Sequence, residues 1–193
     1  MTFPRRAAWR IPRELRRALV PVLRTIAELT KRIVAFESRI EQNGKSRYPE
    51  TQRLRQVGGV GPITSLLFVL TLEDPRRFKD SRAVGAYLGL RPGRSQSGGR
   101  DPELHITKAG DRDLRRHLVQ SAQYILGAFG KDSDLRRFGL ALASRGRKSA
   151  KKRAVIAVAR KLAVLLHRLW ITGSDYDPLR QAEGRNPSRR HRA

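Results

Sequence analysis

Apolar residues recur along the first fifty positions at alternating intervals of four and three. Leu15, Leu19, Val22, Ile26, Leu29, Ile33, Phe36 and Ile40 form a heptad seam about three and a half heptads long, with Arg, Lys and Glu filling much of the rest. This spacing predicts a long helix over residues 12–42. Pro12 suits a first helical turn, whereas Pro21 in the interior predicts a kink near Ala18 or a restart there. Asn43-Gly44-Lys45-Ser46 predicts its end. A helix packed on its own domain would show the same seam. Residues 1–50 contain little else to pack on, which favours a partner helix and hence a homo-oligomer through residues 12–42.

Beyond residue 50 the pattern changes to shorter apolar stretches broken by glycine and proline. Arg53–Leu72 reads as two short helices around a Gly-rich hairpin. Asp74-Pro75 predicts a turn, followed by a helix through Ala83, Tyr87 and Leu88. Residues 91–102 read as a loop and Leu104–Thr107 as a short extended piece. In residues 111–129, Leu114, Leu118, Ala122, Ile125, Leu126 and Phe129 share one helical face; in residues 151–170, Val155, Val158, Ala159, Leu162, Leu166 and Leu169 do the same. The expected fold is mainly α: a long coiled-coil-like helix (1–50), a compact helical domain (51–173) and a basic disordered tail (174–193).

Charge narrows the partners. Lys and Arg number 42 against 17 acidic residues, a formal charge of +25. Self-repulsion of that size is relieved by a polyanion, most commonly nucleic acid. Cysteine is absent, which excludes disulfides and thiolate metal sites, and the four histidines are scattered, so no metal site is expected. No apolar run is long enough to span a bilayer. The expectation is a soluble, cytoplasmic polyanion binder with no membrane association.

Val57-Gly58-Gly59-Val60-Gly61-Pro62-Ile63-Thr64-Ser65 fits a helix-hairpin-helix element. Its glycines permit positive φ, Val60 would pin the turn, and Pro62 suits a first helical turn. Exposed N–H groups at Gly59, Gly61 and the following helix start could hold phosphate oxygens without reading sequence, so Gly58, Gly59, Val60, Gly61 and Thr64 are the expected nucleic-acid-binding residues here. An ordinary helix–helix turn has the same composition. Lys108, Arg112, Arg115 and Arg116 surround the start of the next amphipathic helix. Arg145, Arg147, Lys148, Lys151, Lys152 and Arg153 place six positive charges in nine residues without an acid. Solvated surface is the ordinary reading for Arg136, Arg137 and Arg168. Tyr124 and Trp170 suit either base stacking or the apolar edge of a helix, and core packing is the better expectation for both.

The loop Leu88–Arg100 (LGLRPGRSQSGGR) sets Ser97 among glycines with Arg91, Arg94 and Arg100 around it. Alone it reads as a linker. In order with VGGVGP at 57–62, Arg77-Phe78-Lys79, YLGLRP at 87–92, QSGG at 96–99, ITKAG at 106–110 and Leu114-Arg115-Arg116, however, it resembles the C-terminal domain of the DEDD insertion-sequence transposases, related to the Piv-type DNA invertases. The resemblance spans roughly residues 53–170. It implies DNA strand cleavage and rejoining, with Ser97 as the nucleophile of the family's Ser-Gly motif. It also implies a structured guide RNA and a divalent metal, magnesium, held by a separate acidic RuvC-like domain rather than by this chain. The acids here read otherwise: Glu73 and Asp74 as helix-end and turn residues, Asp111 and Asp113 as helix caps. The chain therefore reads as the C-terminal half of such a transposase, beginning in its coiled-coil linker and inactive alone. The alternative is a non-catalytic nucleic-acid-binding fragment or regulatory remnant of a mobile element.

Overall fold

The computed structural model describes residues 12–93, 105–146 and 149–180. The chain divides into two compact units, Met1–Asn43 and Gly44–Ala193. Helix α1 (Arg13–Arg47) makes up the described part of the first unit and continues into the second. It runs unbroken through Pro21 rather than restarting. Proline removes one helical hydrogen bond there, and the Thr25 hydroxyl donates to Pro21 O at 3.1 Å. Leu15, Val22, Ile26, Leu29, Ile33 and Phe36 stand about half exposed along the seam.

The end expected over Asn43-Gly44-Lys45-Ser46 lies one residue short of the observed one, since the helix continues to Arg47. A glycine inside a helix costs only about 1 kcal/mol, and here Gly44 is buried. A Cβ on it would meet the Thr51 hydroxyl at 3.2 Å. That hydroxyl donates to Tyr48 O at 2.7 Å, with Gly44 O at 3.2 Å. The stop comes from Pro49, because the residue before a proline is pushed out of helical geometry.

In the second unit follow α2 (Glu50–Leu54), α3 (Pro62–Leu72), a 3₁₀ turn (Pro75–Arg77), α4 (Ser81–Tyr87), α5 (Arg112–Leu126), α6 (Asp134–Ala143) and α7 (Ala150–Thr172). Among the described residues no strand forms, and the only β pairing is an isolated bridge between Pro92 and Ile106. The turn expected at Asp74-Pro75 is a 3₁₀ turn, and the helix expected after it through Ala83 and Tyr87 is α4. Asp74 accepts from Arg76 N and Asp80 from Ala83 N, so each carboxylate starts its own element.

Helix α7 is the axis of the core. It buries Val158, Ala159, Leu162, Ala163, Leu166 and Leu169 in one cluster with Phe68, Leu72, Val84, Leu88, Leu114 and Leu118. Small residues set the approach distances. A Cβ on Gly139 of α6 would lie 2.5 Å from both Leu126 Cδ2 and Val158 Cγ2, and one on Gly85 of α4 would lie 2.9 Å from Arg160 Cγ. His167, fully buried on α7, ties this helix to α4. Its Nε2–H donates to Pro75 O at 2.8 Å, and its Nδ1 lies 2.9 Å from Ser81 Oγ.

Helix α5 ends at Leu126, not at residue 129, and Phe129 is 81% exposed rather than on the core face. The end is clamped by Arg136, read from sequence as a solvated residue, whose Nη1 donates to Ile125 O and Gly127 O at 2.6 Å each. A cation at these last carbonyls also meets the negative end of the helix dipole. Residues 174–180, assigned above to the basic tail, are tied down. Gln56 donates to Asp175 Oδ1 at 3.0 Å and accepts from Tyr176 N at 2.7 Å, while Asp134 N donates to Pro178 O at 2.7 Å. The rest of that tail lies outside the described residues.

Candidate nucleic-acid interface

The turn between α2 and α3 is organised by its glycines and valines. Val57 and Val60 are buried, and Val60 N donates to Val57 O at 3.0 Å, closing a tight turn whose apolar side faces the core. Gly59 has φ +86°, and a Cβ there would press on Ser121 O at 3.0 Å and Tyr124 Cδ1 at 3.1 Å. Only glycine satisfies both the backbone conformation and this approach to α5. Cβ atoms on Gly58 and Gly61 would meet nothing within 4 Å, so the outer side of the turn is open. Gly61 is the N-cap of α3 with no side-chain cap, and Pro62 occupies its first turn. The start of α3 thus leaves its first-turn N–H groups without a side-chain cap, beside the open side of the turn. Thr64, at the start of α3, is buried.

The described residues on either side of Ser97 form a clasped stem. Gly93 N donates to His105 O, Thr107 N to Arg91 O and Lys108 N to Gly89 O, at 2.9, 3.0 and 3.1 Å. This pairing involves His105–Thr107 of the short extended piece expected at Leu104–Thr107; Leu104 lies outside the described residues. Two glycines let the stem backbones touch. Gly89 (φ +66°) has no room for a Cβ against the backbone of Lys108 and Ala109, nor Gly110 (φ +73°) against Tyr87 O. Lys108 itself is held at φ +57°, an uncommon conformation for a residue with a side chain. Arg115 seals the assembly. Its Nη1 lies 2.8 Å from Ala109 O, 3.2 Å from Leu88 O and 3.3 Å from Asp111 O. This guanidinium is thus occupied by the fold. Ser97, Arg94 and Arg100 lie outside the described residues.

Of the other basic positions, Arg91, Lys108, Arg112 and Arg116 are exposed, and Arg116 makes only a 3.7 Å contact with Asp113. Asp111 caps α5 by accepting from Leu114 N, as its position suggested. Lys151, Lys152 and Arg153 are exposed in the first turn of α7, which has no acid in that turn and no side-chain cap. Positive charge there opposes the helix dipole. Arg147 and Lys148 lie outside the described residues. Arg137 is paired bidentately with Asp132, at 3.0 and 2.6 Å, and this hydrogen bonding holds the Asp132 carboxyl below the usual range. Among the described residues no group of three His, Cys, Asp or Glu could hold a metal ion, so the metal implied by the resemblance has no donor set among them.

Two features escaped the sequence reading. Trp170 packs on Phe68 at the core as expected, with ring centroids 6.3 Å apart, but Tyr124 is 49% exposed beside the hairpin. His117, Gln120, Ser121 and Tyr124 occupy one face of α5 and, with Gly59–Thr64, line an open hollow of about 490 Å³. The i, i+3, i+4, i+7 spacing of those four residues was the available signal.

Comparison with known proteins covers this same region, from the hairpin through the stem to α5. Residues 51–137 match the Transposase IS116/IS110/IS902 family. Similar proteins include y4pF/y4sB of Sinorhizobium fredii, named as a transposase and 35% identical over 136 residues, which cover 69% of this chain and 34% of that protein. The transposase for insertion sequence element IS1328 of Yersinia enterocolitica is 42% identical over 72 residues, covering 37% of this chain and 22% of the relative. The transposase for insertion sequence element IS1111A of Coxiella burnetii is 30% identical over 128 residues, with 66% and 34% covered. The chain spans about a third or less of the length of these relatives. The region matched to the IS116/IS110/IS902 transposases thus includes every described part of the hairpin, the stem and the hollow. No described helix is long and apolar enough to cross a membrane.

Proposed function

We propose that this chain is the DNA-handling helical part of an insertion-sequence transposase of the DEDD, Piv-related type. In this reading the Gly58–Gly61 turn and the basic starts of α5 and α7 grip the phosphate backbone. The clasped stem presents the loop carrying Ser97 as the nucleophile. Attack by the Ser97 hydroxyl oxygen on a phosphodiester would release a DNA hydroxyl and leave a phosphoserine, conserving the bond energy for rejoining. Divalent metal is assigned to an acidic domain supplied by other residues, target choice to a structured RNA, and assembly to pairing through residues 12–42.

The observation that carries the reading is the family match over residues 51–137, which takes in the open glycine turn and the stem together. With 17 acids against 42 bases, acid pairing leaves a net charge of +25 for a polyanion to neutralise. The test is binding to duplex DNA across a salt series. Affinity should fall linearly in logarithmic terms with salt, and Lys151→Gln with Lys152→Gln should flatten the slope by about one unit for each phosphate no longer neutralised. A salt-independent or absent interaction overturns the proposal. In a transposition assay supplied with the remaining components, Ser97→Ala should abolish recombination while leaving DNA affinity intact.

A further inference from the structure

The hollow between the hairpin and α5 has a floor that does not fit a surface crevice filled only by packing. Thr64 is 6% exposed and Ser121 3%, and both line it. Neither side-chain hydroxyl has a hydrogen-bond partner among the described residues. Buried hydroxyls are ordinarily bonded, and one sealed off without a partner is costly. The only sealed, unpartnered side-chain polar atom among the described residues is Arg53 Nε, so neither hydroxyl is fully sealed. Pro62, half-exposed Ile63, half-exposed Tyr124, Gln120 and His117 line the same hollow. The hollow therefore brings apolar and aromatic side chains together with two buried hydroxyl residues, beside the open side of the Gly58–Gly61 turn.

We propose that this hollow is a subsite for one unpaired nucleotide of a strand whose phosphate lies on the Gly58–Gly61 turn; the proposal rests on the hairpin contacting nucleic acid. A nucleobase has the matching chemistry: an apolar face to stack on Tyr124 and a polar edge to exchange hydrogen bonds with Thr64 and Ser121. A fully paired duplex cannot supply it, because its bases are stacked and their pairing edges used. The net charge of +25 selects an anionic polymer over an apolar peptide as the occupant. Its volume, about 490 Å³, lies in the range of small-molecule sites.

The test uses the full chain and two labelled DNA duplexes, one fully paired and one with a single bulged 2-aminopurine. Anisotropy should show the bulged duplex bound about tenfold tighter, the scale of one base stacked on an aromatic ring. The 2-aminopurine emission should be quenched on binding. Tyr124→Ala, and separately Thr64→Val with Ser121→Ala, should remove the preference and the quenching while paired-duplex affinity stays unchanged. Tyr124→Trp, which keeps a stacking surface, should restore both. An RNA version of the bulged duplex distinguishes the source, the tighter Tyr124-dependent binder being the strand recognised. Equal affinity for bulged and paired duplexes, or a preference that survives Tyr124→Ala, overturns the subsite while leaving backbone binding standing. Failure to bind either duplex at low salt removes the hairpin reading along with it.

Discussion

Gly89, Gly110 and Arg115 do for the Ser97 stem what no secondary structure does there: they let two irregular backbones touch and then hold them. A side chain at Gly89 meets both the positive φ and the backbone of Lys108–Ala109. Strain and overpacking together predict that Gly89→Ala costs about 2–4 kcal/mol and lowers the melting midpoint by roughly 5–15 °C. Arg115 acts by a different route. Arg115→Ala leaves Leu88 O and Ala109 O without their cationic donor, a loss of about 1–3 kcal/mol, and Arg115→Lys should recover part of it. Amide hydrogen exchange at Gly93 and Thr107 should accelerate in Arg115→Ala; unchanged exchange at both would show the stem to be held without it. The requirement for glycine at Gly59 was legible in the chain because a tight turn is a local property. The role of Arg115 was not, since its basic character suggested phosphate while its acceptor Leu88 O lies 27 residues away.

Elements were legible where periodicity ran long and opaque where a cap decided the matter. The buried faces of α5 and α7 follow their apolar spacing, and α7 runs to Thr172 as a near-continuous core strip. Helix α6 was missed because its ten residues expose Arg137 and Leu140 and bury only Leu135 and Gly139. Its start is set by Ser133, which accepts from Arg136 N at 3.2 Å. Gly139 is the point where α6 meets both α5 and α7. Gly139→Ala gains about 1 kcal/mol of helix propensity but crowds Leu126 and Val158, an overpacking cost of about 1–3 kcal/mol. Combining it with Val158→Ala should be less destabilising than the sum of the two changes, by about 0.5–2 kcal/mol in chemical denaturation. Strict additivity would mean that the two side chains do not compete for the same space. His167→Leu removes the tie between α7 and α4, leaving Pro75 O and the Ser81 hydroxyl unpaired. A loss of about 2–4 kcal/mol is expected in the same assay.

At the scale of the whole molecule, the seam and the charge make opposing demands that one variable separates. Leu15, Val22, Ile26, Leu29, Ile33 and Phe36 form a half-exposed apolar stripe on a 35-residue helix, the pattern that a second copy buries in a coiled coil. The same segment carries 12 basic and 5 acidic residues over positions 1–50, so two copies repel each other through their net charge. Added salt screens that repulsion and leaves the apolar seam intact. Self-association should therefore tighten as salt rises, whereas DNA binding through Lys151, Lys152 and the hairpin should weaken over the same range. Sedimentation equilibrium of the chain alone should show at least a dimer that grows more stable with salt. Ile26→Asp with Ile33→Asp should sediment as a monomer and retain most of its affinity for a single short duplex. A wild-type chain that stays monomeric at high salt would remove pairing through residues 12–42 and leave that stripe to an unlike partner. Association that weakens with salt would place its origin in charge rather than in the seam.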